Sequence, residues 1–256
     1  GTLRSVFGRL PFGPGDYIVI PYSVTWQLEL DGEDNRLVVF ESRDQISTPK
    51  RYRNWYGQLL EHSPFCERDF RAPEALETFD EMGDFEVRVK VRDEITAHWL
   101  DHHPFDVVGW DGFVFPFAFN IADFEPITGR VHQPPPVHQT FEGDGYVICS
   151  FVPRLFDFHP DAVKVPYHHA NTDSDEVLFY SVGNFMSRAG SGIGVGSISY
   201  HPAGFVHGPQ PGSVEASLDR AATEEVAVML DTFAPLAVTD AARVVSDEQY
   251  PFTWSR

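Results

Sequence analysis

The feature that most constrains the fold of this chain lies in residues 168–212. There, glycines and prolines recur at fixed distances from histidine and glutamate residues, which are residue types that bind metals. We call this spacing the frame. Two half-motifs share it: His169-x-Asn171, Glu176 and Gly183, followed by Gly196, Pro202-x-Gly204 and His207. Glycine and proline punctuate short strands, because glycine permits tight turns and proline cannot continue a central strand. The frame therefore predicts a β structure in which alternate residues of each strand share a face.

Strand patterns also dominate the rest of the chain. Runs rich in β-branched and aromatic residues are separated by turn clusters such as DGEDN and NTDSD. These runs are YIVIPYSVTWQLEL, RLVVFES, DFEVRVKVRD, GYVICSFVP, EVLFYSVGNF and GIGVGSISY. Helical patterning is sparse, with SVEASLDRAATEEVAV as the clearest candidate and PEALETF as a short one. We expect a mainly β fold of the sandwich or jelly-roll type with few short helices.

A faint internal repeat indicates two related halves of the cupin type. Gly15, Pro21 and Trp26 have the same spacing as the glycine, proline and histidine of the second half-motif. Trp26 stands where the later copy has its histidine, so the first half is predicted to hold no metal. We expect a degenerate cupin-like half at 1–130, incomplete at its N-terminus, and a metal-binding half with a C-terminal helix at 131–256.

The expected metal ligands are His169, Glu176 and His207. Two imidazoles and one carboxylate form the set that leaves open positions on iron(II) for substrate and O2, although ligand type alone does not separate iron from manganese. His168 should point to the opposite face. The alternative, that these are unrelated surface groups, requires both half-motifs to occur in order by accident. His201 is either an ordinary strand-end histidine or a group that contacts the substrate or a ligand.

Bulk properties exclude several classes of function. The formal charge of −19 argues against partners such as nucleic acid or an anionic membrane, since both attract basic surfaces. No apolar run is long enough to span a bilayer, and no secretory signal precedes the first strand pattern, so we expect a cytoplasmic protein. The two cysteines have no disulfide or zinc-ribbon spacing. Because Gly1 is not an initiator methionine, the chain is either processed or, as we expect, lacks an upstream segment.

Over almost its whole length the chain resembles the homogentisate 1,2-dioxygenase family, and its HHANTDSDEV looks most like the bacterial branch. The resemblance is carried by PFDVVGWDG, a following FxFN segment, the His-x-Asn…Glu motif and HPAGFVHGPQPG. It implies a two-part cupin that uses Fe(II) and O2 to cleave homogentisate to maleylacetoacetate in tyrosine and phenylalanine catabolism. It also implies a symmetric homo-oligomer, and it places His201 and His207 near the aromatic substrate.

Two positions depart from the family pattern. Asp111 stands where the family usually has a histidine that acts on the substrate hydroxyl, and a carboxylate is a weaker base unless it is buried. Phe185 stands where the family often has a tyrosine that contacts the substrate carboxylate. We therefore keep Asp111 and His201 as candidate catalytic residues and Phe185 as a substrate contact. Cleavage of another dihydroxylated acid such as gentisate, and a non-catalytic metal-binding cupin, stay open as alternatives.

Overall fold

The computed structural model describes residues 1–130, 135–162, 164–165 and 167–255. The described chain is mainly β and contains four antiparallel sheets with only short helices. This confirms the prediction of a mainly β, cupin-like fold.

The chain divides into two compact units, each built from two stretches of sequence. The first consists of Gly1–Leu37 and Cys66–Asp123, and the second of Val38–Phe65 and Phe124–Arg256. The division into halves at residue 130 that the sequence suggested stays a prediction.

The first unit contains eight of the described strands. They are Thr2–Ser5 (β1), Gly8–Pro11 (β2), Asp16–Val19 (β3), Trp26–Glu29 (β4), Phe70–Arg71 (β5), Met82–Val91 (β6), Glu94–His102 (β7) and Phe117–Asn120 (β8). These strands form sheets in the orders β2-β1-β4 and β3-β8-β5, and β6 and β7 form a separate hairpin. Leu3 and Leu10 pack with Ala118 in one apolar cluster, so the core of this unit joins the two three-stranded sheets.

The second unit contains the remaining described strands in one five-stranded sheet. They are Gln139–Gly143 (β9), Tyr146–Phe151 (β10), Asp175–Val182 (β11), Ile198–His201 (β12) and Val226–Thr232 (β13), in the order β12-β11-β13-β10-β9. One face of this sheet is apolar and buries Cys149, Leu178 and Met229 together with Phe185. Glu176 lies on the same face, because it is two residues before Leu178 on β11.

Helices are short throughout the described residues. The α-helices are Ser213–Ser217 (α1) and Asp240–Val244 (α2), and 3₁₀ turns occur at Lys50–Tyr52, Glu67–Asp69, Ile121–Asp123, Pro135–His138, Met186–Arg188 and Tyr250–Ser255. Within the part of the chain that is described, no helix has the length and apolar character needed to cross a membrane.

Three local predictions were wrong. Only the first residues of SVEASLDRAATEEVAV are helical, and its last three residues belong to β13. That strand is paired on both sides, with β10 and β11, and these pairings override the local helix pattern. PEALETF forms no helix and RLVVFES forms no strand.

The glycine and proline frame is present in both units. Gly15 has a φ of 84° and precedes β3, and Gly196 has a φ of 88° and precedes β12. Pro202 directly follows β12, as the frame predicted, and Pro21 lies two residues after β3. Positive φ favours glycine, so the shared spacing has a shared structural cause.

Candidate metal centre

Paired backbone segments of the second unit bring the predicted ligands together. Glu176 lies on β11, and its neighbour across the strand pair is His201 on β12. His169 and His207 lie outside the named strands and form an isolated β-bridge with each other. In this bridge each backbone N–H donates to the carbonyl of the other residue at 2.9 Å.

The three predicted ligands offer donor atoms to one common point. Atoms of His169, Glu176 and His207 that can bind a metal all lie within 4.8 Å of one another. The two imidazole rings are 4.4 Å apart between centroids, and His207 Nε2 is 3.6 Å from Glu176 Oε1. The structure thus assembles all three residues that the sequence pattern selected.

Hydrogen bonds to the backbone leave the Nε2 atom of each histidine available. His169 Nδ1 is 2.7 Å from the carbonyl of Tyr167, and His207 Nδ1 is 3.1 Å from the carbonyl of Phe205. A carbonyl only accepts, so each Nδ1 donates and each Nε2 keeps its lone pair. Among the described residues, His207 Nε2 is buried and has no hydrogen-bond partner. A buried nitrogen with a free lone pair suits a metal ligand, because a bond to an ion would satisfy it.

The protonation states of Glu176 and His207 suit metal binding. Burial, with a contribution from His201, lowers the pKa of His207 to about 4. Burial alone would raise the pKa of Glu176, but the hydrogen bond from His201 and the nearby imidazoles outweigh it, so this pKa is lowered. At neutral pH the cluster therefore combines a neutral His207 with an ionised Glu176, and metals bind these deprotonated forms.

His201 forms a hydrogen bond with the carboxylate of Glu176. Its Nδ1 lies 2.6 Å from Glu176 Oε1, and its Nε2 lies 3.1 Å from the hydroxyl of Tyr250. Burial lowers the pKa of His201 although Glu176 opposes the shift, and burial raises the pKa of Tyr250 to about 12. The neutral imidazole then donates from Nδ1 to Glu176 and accepts from Tyr250 at Nε2. Both ring nitrogens are used within the chain, and the substrate contact of His201 stays a prediction.

Further polar groups surround Glu176. Asn171 Nδ2 donates to Glu176 Oε2 at 3.4 Å, so the residue at this motif position orients the carboxylate. Asp231 faces Glu176 from β13. Burial raises the pKa of Asp231 to about 7, and the charge of Glu176 adds to this effect. A second carboxyl group, largely protonated below neutral pH, therefore lies beside the candidate ligand.

Backbone anchors hold the segments that carry the ligands. Asp175, which precedes Glu176, accepts hydrogen bonds from the backbone N–H groups of Ala203 and Leu236 at 2.8 and 2.7 Å. The buried guanidinium of Arg188 donates to the carbonyl of Gly208 at 2.5 Å, next to His207. These bonds fix both ends of the cluster independently of the ligand side chains.

The other predicted site residues lie elsewhere. His168 is exposed and packs against the backbone of Gly208, where an added Cβ would lie 2.5 Å from the His168 ring. Phe185 is buried in the apolar cluster of the second unit, with its ring edge-on to Tyr180. Asp111 is an exposed residue of the first unit, outside its strands. The roles of Phe185 and Asp111 stay predictions.

Sequence reasoning missed Tyr250 and Asp231. Tyr250 lies 49 positions after His201, in a 3₁₀ turn with no motif of its own. Asp231 lies in the strand whose start was mistaken for a helix, so no pairing with Glu176 could be inferred. A correct strand assignment for EVAVMLDT would have shown an acidic residue at an inward-facing position.

The chain is similar to several known proteins. A family model described as Homogentisate 1,2-dioxygenase N-terminal matches residues 2–121. A protein of Saccharolobus solfataricus, provisionally named a dioxygenase, is 46% identical over 98% of this chain and 65% of its own length. The homogentisate 1,2-dioxygenases of Emericella nidulans and Rhodopseudomonas palustris are each 28% identical, over 84% and 94% of this chain. The matched parts cover 49% and 56% of those enzymes, so the chain spans about half to two thirds of these relatives.

The fold and the cluster define a cupin-like β protein with a candidate His/Glu metal-binding group. The similarity to these relatives covers 84% to 98% of this chain. The comparisons confirm the resemblance to the homogentisate 1,2-dioxygenase family that the sequence motifs indicated.

Proposed function

We propose that this chain carries the catalytic metal centre of an iron(II)-dependent dioxygenase that opens the ring of homogentisate with O2 to give maleylacetoacetate. The reaction would belong to tyrosine and phenylalanine breakdown. The observation that carries the proposal is the convergence of His169, Glu176 and His207, with the buried Nε2 of His207 left without a partner among the described residues. The similarity to homogentisate 1,2-dioxygenases supports the type of reaction.

In this proposal each residue around the centre has a defined task. His169 and His207 would hold iron(II) through Nε2, and Glu176 would hold it through a carboxylate oxygen. Bound iron(II) supplies an electronic route between triplet oxygen and a closed-shell ring. His201 holds Glu176 ionised and oriented, and Tyr250 fixes the tautomer of His201.

Two positions bear on the identity of the substrate. Asp111 would accept the proton of the substrate hydroxyl, and Phe185 would offer a ring but no hydrogen bond to the substrate carboxylate. These two positions favour a second candidate function, cleavage of a different dihydroxylated acid such as gentisate. A non-catalytic cupin is the least favoured alternative, since the complete ligand set is present.

Metal binding is tested with two neighbouring histidines. We expect His169→Ala to abolish stoichiometric iron(II) binding in the anaerobically loaded chain. The matched variant His168→Ala should retain it, because His168 lies outside the cluster. Iron content after gel filtration and isothermal titration measure the difference. Stoichiometric iron in His169→Ala would place the metal elsewhere.

Oxygen uptake by the iron-loaded full-length protein tests the reaction. Faster uptake with homogentisate than with gentisate supports the leading proposal, and the reverse order supports the second. Asp111→His should preserve or raise the rate if residue 111 acts as the base. An iron-loaded protein that consumes no oxygen with either compound would contradict both enzyme proposals.

A further inference from the structure

The C-terminal turn, Tyr250–Ser255, packs against the candidate metal centre. The hydroxyl of Tyr250 lies 3.1 Å from His201 Nε2, and the ring of Trp254 stands edge-on to the His201 ring with 6.4 Å between centroids. Tyr250 and Trp254 also contact each other, with their ring centroids 5.3 Å apart. His201 is 2% exposed and Trp254 is 9% exposed. Two aromatic rings of the turn therefore shield from water the histidine that hydrogen-bonds to Glu176.

Stacked rings connect the turn to a second residue of the centre. The ring of Tyr250 stacks on the ring of His201, with 16° between the planes and 6.0 Å between the centroids. The ring of His201 in turn stacks on His207, with 14° between the planes and 4.1 Å between the centroids. The predicted ligand His207 thus belongs to a stack of three rings whose outermost member comes from the C-terminal turn.

A hydrogen bond ties the turn to the loop that follows His207. Gln210, three residues after His207, donates from Nε2 to the hydroxyl of Thr253 at 2.8 Å. Gln210 is itself buried, and its backbone N–H donates to the carbonyl of Ser187 at 2.9 Å. The turn therefore contacts the segments that carry both buried ligands of the candidate centre.

The stretch that joins β13 to the turn is exposed. Every residue at 239–249 is exposed, including Val244 at the end of α2 and Val245 just after it, at 85% and 84%. Segments with few buried contacts open locally at low cost in free energy. The turn is therefore held by its own contacts with the centre, and local opening would release it without unfolding the sheet.

The docked turn favours the arrangement that a metal needs. The carboxylate of Glu176 can only accept, so Nδ1 of a neutral His201 donates to it and Nε2 accepts. Tyr250 supplies the donor for that Nε2. Consecutive hydrogen bonds strengthen one another, and each is stronger away from water. With the turn released, water reaches His201, its ring can rotate, and the hydrogen bond that orients Glu176 weakens.

We propose that metal binding and docking of the C-terminal turn are coupled, and that Tyr250 is the positioning residue that transmits the coupling through His201. The coupling rests on the metal centre proposed above and adds the last residues of the chain to it. Coupling between two sites is reciprocal. The factor by which the docked turn raises metal affinity therefore equals the factor by which the metal stabilises docking.

Iron(II) affinity measures one direction of the coupling. Tyr250→Phe removes only the hydroxyl and should weaken iron(II) binding by about fivefold, as expected for the loss of one net hydrogen bond. Phe252→Ala is the matched control, because Phe252 lies in the same turn but is about half exposed, and it should leave the affinity unchanged. Anaerobic competition with a chelator of known affinity gives the dissociation constants. Urea unfolding of the metal-free chains checks that both variants fold.

A double-mutant cycle separates positioning through His201 from a general loss of stability. Tyr250→Phe introduced into His201→Ala should cause no further loss of iron(II) affinity, because the residue on which Tyr250 acts is absent. Additive losses would show that Tyr250 acts by another route and would contradict its positioning role.

Digestion from the C-terminus measures the other direction. A serine carboxypeptidase, which needs no metal, should remove Trp254 only from chains whose turn has opened. When opening and closing are fast, the rate of cleavage follows the open fraction. Iron(II) should therefore slow the release of Trp254 by about fivefold or more, as mass spectrometry can follow. His169→Ala, which lacks one predicted ligand outside the turn, should show no protection by iron(II).

Two results would overturn the coupling and leave the metal centre in place. One is equal iron(II) affinity of Tyr250→Phe and the unsubstituted chain, and the other is release of Trp254 at the same rate with and without bound iron(II). An unsubstituted chain that binds no iron(II) would instead contradict the metal centre itself, and the coupling with it.

Discussion

His201 shows how a single side chain can tune the candidate centre without being one of its three ligands. It lies between the carboxylate of Glu176 and the hydroxyl of Tyr250, with both ring nitrogens in hydrogen bonds. Groups that orient a ligand usually affect metal affinity less than the ligand itself but still measurably.

We therefore expect a graded loss of metal affinity. His201→Ala should weaken iron(II) binding by about 10- to 100-fold, as is usual for groups that orient a ligand. His207→Ala should abolish stoichiometric binding. Competition with a chelator of known affinity gives both values. Equal affinities for His201→Ala and the unsubstituted chain would show that the carboxylate does not need this partner.

The buried His207 should also make the metal-free chain sensitive to acid. Its folded pKa of about 4 is below the ordinary value of 6.5. The unfolded chain therefore binds the proton first, and stability falls as the pH drops from 6.5 towards 4. His207→Gln should flatten this part of the profile. Urea unfolding with a chelator present, at several pH values, compares the two chains, and parallel profiles would contradict the assignment.

At the scale of elements, the turn after β11 depends on Gly183. Its φ is 100°, and an added Cβ would lie 2.1 Å from the carbonyl oxygen of Glu224. Both the positive φ and the close backbone explain why the first half-motif ends in glycine. The residue has a structural role that keeps β11, and with it Glu176, in place.

Gly183→Ala should destabilise the chain by about 2 kcal/mol or more, since backbone strain and a steric clash combine. Gly145→Ala is the matched control, because Gly145 also has a positive φ of 83° but no atom within 4 Å of an added Cβ. It should lose only about 1 kcal/mol. Chemical denaturation measures both losses, and similar values would mean that Glu224 moves aside at little cost.

Sequence reasoning succeeded for elements that local spacing defines. The β11 and β12 strands and their glycine and proline limits were predictable, because turn geometry restricts the residues that fit. It failed for the start of β13, where helix-forming residues are held extended by strands on both sides. Tyr250 could not be predicted either, since only the folded chain brings it to His201. In both cases the structure depends on contacts between residues far apart in the sequence, which a local pattern does not show.

At the scale of the whole molecule, the excess of negative charge acts on stability. The chain has 38 acidic and 19 basic residues. Such an excess disfavours compact states through self-repulsion, and salt screens this repulsion. Near the isoelectric point of about 4.8 the same salt should have little effect, because the net charge is small.

We expect the thermal midpoint at neutral pH to rise by a few degrees between about 0.05 M and about 0.5 M sodium chloride. The matched measurement near the isoelectric point should show a much smaller change. Differential scanning calorimetry at both pH values provides the comparison. An equal rise at both would indicate a general salt effect and no relief of repulsion.

The bridge between His169 and His207 has a consequence for how the centre would acquire its ion. The two residues are joined by two backbone hydrogen bonds, so the distance between their Cα atoms is set by the backbone and not by the imidazoles. We therefore expect the centre to be preorganised, so that an ion can bind and dissociate without a change in the backbone. We also expect that free imidazole from solution can occupy the space left when one of the two imidazoles is truncated.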